Sequence, residues 1–100
     1  MKIEKKLNGN GMTICLQGSL DSMTAPELKE ALNEMPDSVE SLVFDFKNLD
    51  YVTSAGIRVL LKTYYTLAKK GGMKIVNANE EITDILNITG MTELLNTGKA

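Results

Sequence analysis

The spacing of apolar residues changes several times along the chain, and each change marks an element. Residues 3–7 alternate weakly between apolar and polar, and Asn8-Gly9-Asn10-Gly11 follows. Asn-Gly favours a tight hairpin turn because both residues tolerate positive φ. Met12-Thr13-Ile14-Cys15-Leu16-Gln17 then alternates cleanly and stops at Gly18, so the N-terminus predicts a β-hairpin. Gly18-Ser19-Leu20-Asp21 reads as a loop leaving its second strand. Thr24-Ala25-Pro26-Glu27 has the form of a capping box, with Thr24 as the cap and Glu27 reaching back. Pro26 is tolerated in a first turn, where its missing N–H is not needed. Ala25, Leu28, Ala31, Leu32 and Met35 recur at helical spacing, Glu27, Lys29, Glu30 and Glu34 face away, and Pro36 stops the helix.

The stretch 41–46 is almost continuously apolar, the pattern of a strand covered on both faces. Lys47-Asn48 predicts a short polar turn, with Leu49 and Val52 as apolar anchors in the connection that follows. After Thr53-Ser54-Ala55-Gly56 the period becomes helical: Ile57, Leu60, Leu61, Tyr64 and Ala68 form one stripe, with Arg58, Lys62 and Lys69 off it. This helix runs to Lys69-Lys70, at the negative end of its dipole, with Gly71-Gly72 as the C-cap. A last strand covers 73–76. Asn79 can cap a further helix over 80–89, with Ile82, Ile85 and Leu86 inward and Gly90 at its end. Met91-Thr92-Glu93-Leu94-Leu95 reads as a short closing turn or helix, and 96–100 as a frayed end.

The order β-β-α-β-α-β-α predicts a single α/β domain over residues 1–100. Its sheet is small, mixed and four-stranded: an N-terminal antiparallel hairpin, then parallel strands joined by right-handed crossover helices. Ligands of such sheets gather outside the carboxyl ends of the strands. The loops 18–22 and 47–56 both leave strands at that end. If their strands are parallel neighbours, the loops meet and Asp21 comes near Ser54.

Composition narrows the chemistry. The 100 residues carry a formal net charge of −2 and no basic cluster, which argues against nucleic acid as a partner. No apolar run is long enough to span a membrane, and the charged start 1–6 lacks the apolar core of a signal peptide. Cys15 is the single cysteine, within an apolar run, and points to a reducing, cytoplasmic setting. The chain has no histidine. A Ser-His-Asp or Cys-His apparatus cannot be assembled, and a zinc site lacks ligands. There is no Gly-x-Ser-x-Gly elbow and no Gly-x-x-x-x-Gly-Lys loop. The expectation is a non-enzyme without metal or cofactor; weak nucleotide or anion binding at a helix start is open, with no motif behind it.

What remains is Thr53-Ser54, two hydroxyls where a strand feeds a helix and where free amides and the positive dipole end concentrate. A hydroxyl there can be a plain N-cap worth about 1 kcal/mol or a modification site. Asp21 can cap the first helix or belong to the site. Asp45 and Asp50 read as turn residues, Met23, Met35 and Met73 as core fillers, and Tyr64 and Tyr65 as split between core and surface. Arg58 and Lys62 are a solvated helix face or contacts for an acidic partner.

The ordered pattern Gly18-x-Leu20-Asp21, a helix, a strand ending in Asp45, Asp50-Tyr51-Val52-Thr53-Ser54-Ala55-Gly56-Ile57 and Thr89-Gly90-Met91 resembles the STAS domains over nearly the whole chain. Within them it resembles the bacterial anti-sigma factor antagonists. The resemblance implies a regulator that, unphosphorylated, binds an anti-sigma factor serine kinase and so frees a sigma factor. Phosphorylation of a serine in an Asp-Ser-Ser/Thr-Gly-Leu loop releases the kinase. Aligned on Gly56, that serine is Ser54, with Thr53 a second choice. Thr53 stands where the family has its acid and Ala55 where it has a second hydroxyl, and Asp21 matches an acidic residue beside the site. The implied partner surface is Asp21, Thr53, Ser54, Ala55, Gly56 and Arg58. A different reading within the resemblance is a STAS accessory subunit of a transport system, such as a lipid ABC transporter, that binds its ATPase without phosphorylation.

Overall fold

The hairpin forms where the turn residues place it. In the computed structural model, which describes residues 1–90, β1 (Lys2–Asn8) and β2 (Gly11–Leu20) pair antiparallel from Asn8↔Gly11 to Lys2↔Gln17. Gly9 and Asn10 make the two-residue loop, with Gly9 at φ +64. Positive φ at the first loop position suits the twist of the flanking strands, and glycine adopts it without strain.

The remaining elements follow as α1 (Ala25–Asn33), β3 (Ser41–Val52), α2 (Ser54–Leu67), β4 (Gly72–Val76) and α3 (Glu80–Ile88). The sheet order is β1-β2-β3-β4, with β2–β3 and β3–β4 parallel. This is the mixed four-stranded α/β sheet with crossover helices that the chain order predicts. The closing segment 91–95 and the frayed end 96–100 lie outside the described residues.

Two strands are longer than their sequences suggest. Gly18, Ser19 and Leu20 are not a loop but the end of β2, and Lys47 to Val52 continue β3, so no turn forms at Lys47-Asn48. The two extensions pair with each other, Gly18↔Leu49, Ser19↔Tyr51 and Leu20↔Val52. Register shifts between Cys15/Gln17 and between Gly18/Ser19 absorb the polar residues that looked like a turn. Leu49 and Val52 are buried, while Lys47, Asn48 and Asp50 face solvent. The ladder satisfies backbone groups that a loop would leave to water, and this outweighs a weak local turn signal.

The core lies on one side of the sheet. Met12, Ile14 and Leu16 of β2 and Leu42, Phe44 and Phe46 of β3 are buried, and they alternate with half-exposed Thr13, Cys15, Val43 and Asp45. Leu28, Leu60, Leu67, Ile82 and Leu86 from the helices join the buried set. The apolar run 41–46 is therefore not covered on both faces among the described residues. Valine at 43 extends the apolar run without being part of the core. On α2, Leu67 is buried and Ala68 exposed, which reverses the expected end of the stripe: the inward face continues Ile57, Leu60, Tyr64 to Leu67, and the helix stops there. Gly71 and Gly72 are not its C-cap; Ala68 is, in right-handed geometry. Gly71 instead crosses β3 closely: its N–H donates to Glu40 O at 2.6 Å, and a Cβ there would meet the same oxygen at 2.9 Å. Met35 and Met73 pack inward, but Met23 is 81% exposed and fills no core. Tyr64 packs against the core and Tyr65 is exposed.

Candidate functional site

The site grows from Leu20, the last residue of β2. Its carbonyl accepts the Thr53 N–H at 2.9 Å, which fastens the start of α2 to the neighbouring strand end. Gly56, in the first turn of α2, lies flat on the same residue. A Cβ there would come 2.5 Å from Leu20 Cγ and 3.1 Å from Leu20 O. Glycine at 56 is thus required by close approach of helix and strand, not by a special backbone angle. Gly56 is buried, whereas Ser54 beside it is exposed.

Thr53 takes the N-cap position in extended geometry, yet its side chain makes no capping bond. The hydroxyl instead lies 3.5 Å from Leu20 O as a donor. The first helical bond is Ile57 N–H to Thr53 O at 3.0 Å. The amides of Ser54, Ala55 and Gly56 precede it, so they are the orphan donors of this helix start. The Ser54 hydroxyl makes no hydrogen bond among the described residues, and it stands at the positive end of a fourteen-residue helix. A negatively charged group on this oxygen meets donors and a favourable dipole together. Arg58 is exposed one turn further along α2 and forms no ion pair among the described residues.

The loop after β2 is built around Asp21. Its Oδ1 accepts the Met23 N–H at 2.9 Å and the Thr24 N–H at 3.1 Å, with the Thr24 hydroxyl, whose proton is shared with Ser19 O, at 3.2 Å. These bonds, led by the Thr24 amide, hold its carboxyl below the usual value of 3.8. The Asp21 carbonyl accepts the Ala25 N–H at 2.7 Å. The capping box predicted for Thr24 and Glu27 does not form. Thr24 is already in right-handed helical geometry with no side-chain cap, and its hydroxyl donates to Ser19 O at 2.7 Å. Asp21 does the work of starting α1, because an Asx turn reaches two amides that a helical Thr24 cannot. The pairing of Leu20 with Val52 starts this loop beside the start of α2, but segments 18–20 and 47–52, expected as meeting loops, meet as paired strand ends.

Asp45 and Asp50 fall at the rim. Asp45 Oδ1 accepts the Lys47 N–H and the Asn77 Nδ2, both at 3.0 Å, and so steadies the bulge in β3. Asn79 Nδ2 donates to Leu49 O at 3.3 Å and Asp50 O at 3.2 Å, while its Oδ1 caps α3 through the Ile82 N–H at 2.8 Å. Sequence reasoning missed Met23. A large apolar side chain two residues from Asp21 is left in water, and only its place in the loop, outside any periodic stripe, hinted at that.

This geometry has relatives. Residues 2–100 match the STAS domain family, and the chain belongs to it. It is 27% identical over 96 residues to the anti-sigma-B factor antagonist of Bacillus subtilis (strain 168), covering 95% of this chain and 88% of that protein. It is 26% identical over 98 residues to the anti-sigma F factor antagonist of Paenibacillus polymyxa, covering 95% and 84%. The fold superposes on the anti-sigma factor antagonist SpoIIAA in its unphosphorylated form with a TM-score of 0.83, at 14% identity, over 99% of this chain and 89% of that one. For the phosphorylated form of the Bacillus protein the TM-score is 0.79, again at 14% identity, over 99% and 92%. No helix among the described residues is long and apolar enough to cross a membrane.

Proposed function

We propose that this protein is an anti-sigma factor antagonist switched by phosphorylation of Ser54. Unmodified, it binds an anti-sigma factor serine kinase and thereby frees a sigma factor. Phosphorylated, it lets the kinase go. The observation that carries the reading is the state of Ser54: an exposed, unbonded hydroxyl over uncapped amides at the start of α2. The names of the two curated relatives support the class of function, and a shared fold with both forms of SpoIIAA supports a fold that accepts a phosphate without rebuilding.

The mechanism is electrostatic. A phosphoserine adds roughly −1.5 to −2 charges and three strong acceptor oxygens. Inside the domain these meet the first-turn amides and the dipole, so the fold tolerates them. At the surface they join Asp21, held ionised by its hydrogen bonds. A partner that covers Asp21, Met23, Thr53, Ser54, Ala55 and Arg58 then has to bury that charge. Burying an unpaired charge at an interface costs about 2–5 kcal/mol, well over tenfold in affinity. Gly56 supports this surface from beneath rather than touching the partner.

The test is incubation of the purified protein with ATP and each anti-sigma-type kinase encoded near its gene, followed by intact-mass and peptide-mapping mass spectrometry. One phosphate on Ser54 is the expected result, and an unmodified Ser54 with every such kinase ends the proposal. Ser54→Ala should stay bound to the kinase in the presence of ATP. Ser54→Asp should bind more than tenfold more weakly in calorimetry while melting no lower than the parent, since an acid at a helix start is favourable by about 0.3–1 kcal/mol. Co-purification of an ABC ATPase that is indifferent to Ser54→Ala would move the chain to the transport-accessory reading.

A further inference from the structure

A groove between α1 and α2 runs beside the Ser54 surface and shares Arg58 with it. It encloses about 280 Å³. Its floor is apolar: Leu32 and Met35 from the end of α1 and the turn after it, and Val59 from α2, each partly buried against the core. Its walls carry Lys29 on the α1 side and Arg58 and Lys62 on the α2 side, all three exposed. No carboxylate among the described residues lines it. None of the three cations has an ion pair among the described residues, where the ion pair present is Lys2–Glu4 at the far hairpin. Thr63 and Thr66 also line the groove, but their hydroxyls are committed to Val59 O and Lys62 O, at 2.8 and 3.0 Å. Besides the Asn33 amide at its α1 end, the groove therefore offers apolar contact and positive charge. In a chain of net charge −2, this is a local reversal of sign.

The arrangement of the charges selects the occupant. Arg58 and Lys62 are one helical turn apart, about 6 Å along α2, and Lys29 faces them across the floor. A single anionic head group would use one end of such a row. Carboxylates repeating at one-turn spacing would use all of it, while apolar side chains on the same helix face fill the floor between the walls. We propose that the α1–α2 groove is the docking site for an acidic amphipathic helix of a partner protein. The apolar face of that helix rests on Leu32, Met35 and Val59, and its carboxylates pair with Arg58, Lys62 and Lys29. The proposal does not need Ser54 to be modified; Arg58 is common to both surfaces, and Lys62, which lines only the groove, separates a failure here from a failure of the phosphorylation switch.

The experiment uses the unphosphorylated full chain, 15N-labelled, in an NMR titration. Three probes are compared: a synthetic amphipathic helical peptide with leucines on one face and glutamates flanking them, the same peptide with lysines replacing the glutamates, and decanoate. The expected result is saturable binding of the glutamate peptide alone. The shifted amides should be those of 29–35 and 58–66, and binding should weaken as salt rises. The double variant Arg58→Glu, Lys62→Glu should lose at least about tenfold in affinity with its spectrum otherwise dispersed and native. Lys62→Gln, a milder change on an exposed face, gives a second measurement should the double variant fold poorly. Equal binding of both peptides, shifts centred elsewhere, no binding of the glutamate peptide, or saturation by decanoate alone would each overturn the proposal.

Discussion

At Gly56 a single missing carbon decides whether the start of α2 can lie on Leu20. Gly56→Ala gains helix propensity worth up to about 1 kcal/mol, but the new Cβ meets both the side chain and the carbonyl of Leu20. Neither can give way easily: the Leu20 side chain is fully buried in the core, and its carbonyl also holds Thr53. The variant should be destabilised by about 1–3 kcal/mol in urea denaturation, as overpacking costs. Asp21 makes a prediction in pH. Its carboxyl is depressed in the folded state, so the unfolded chain binds the proton more readily and stability rises with pH through that window. The contribution is present above about the usual 3.8 and lost as pH falls through the lower folded value. Urea midpoints measured from pH 5 to pH 2 should fall more gently for Asp21→Ala than for the parent. Ser54 was singled out by the surrounding family pattern aligned on Gly56, because a serine before a helix is by itself most often a plain cap. Met23 was not, because an isolated methionine reads as core until the surrounding loop is placed.

The helix starts differ more than their sequences do. Thr53 and Asn79 both stand as N-caps in extended geometry, yet only Asn79 makes the bond. Asn79 also donates to two carbonyls of β3, tying α3 to the strand that leads into Ser54. Asn79→Ala should cost about 1–2 kcal/mol, the upper range for a cap. Thr53→Ala should cost only a few tenths of a kcal/mol, since no capping bond is lost. Paired thermal melts of the two variants check the contrast. The same lesson holds for β2 and β3. Lys47-Asn48 and Gly18-Ser19 carry the local chemistry of turns. Each nevertheless stays in a strand, because the facing strand supplies ladder partners: Gln17 for Asn48, and Leu49 and Tyr51 for Gly18 and Ser19.

Over the whole molecule, one buried face and one half-open face share the same strands. Phe44 is fully buried while Val43, next in the chain, is not. Phe44→Ala should cost about 3–5 kcal/mol, a large part of the roughly 5–15 kcal/mol available to a domain. Val43→Ala should cost well below that, and chemical denaturation of both variants measures the asymmetry. This distribution also suits the proposed switch, which needs no refolding. The core gathers under the sheet and helices, whereas Ser54, Asp21, Met23 and Arg58 lie outside it, so charge can change there while packing does not.

The sequence by itself determined the element order, the hairpin, the mixed sheet, the Asn79 cap and the family, and it singled out Ser54 as the proposed site. Each is written in local periodicity, in a turn or cap residue, or in a short motif, and local signals are what a sequence carries. The tertiary structure alone decided how far β2 and β3 run, which face of the sheet is covered, that Asp21 rather than Thr24 starts α1, and that Thr53 leaves its helix uncapped. All four depend on partners distant in the chain: the strand that completes a ladder, the helix that covers a face, the Leu20 carbonyl that draws the Thr53 hydroxyl. Contacts of that kind come into existence only when the chain has folded.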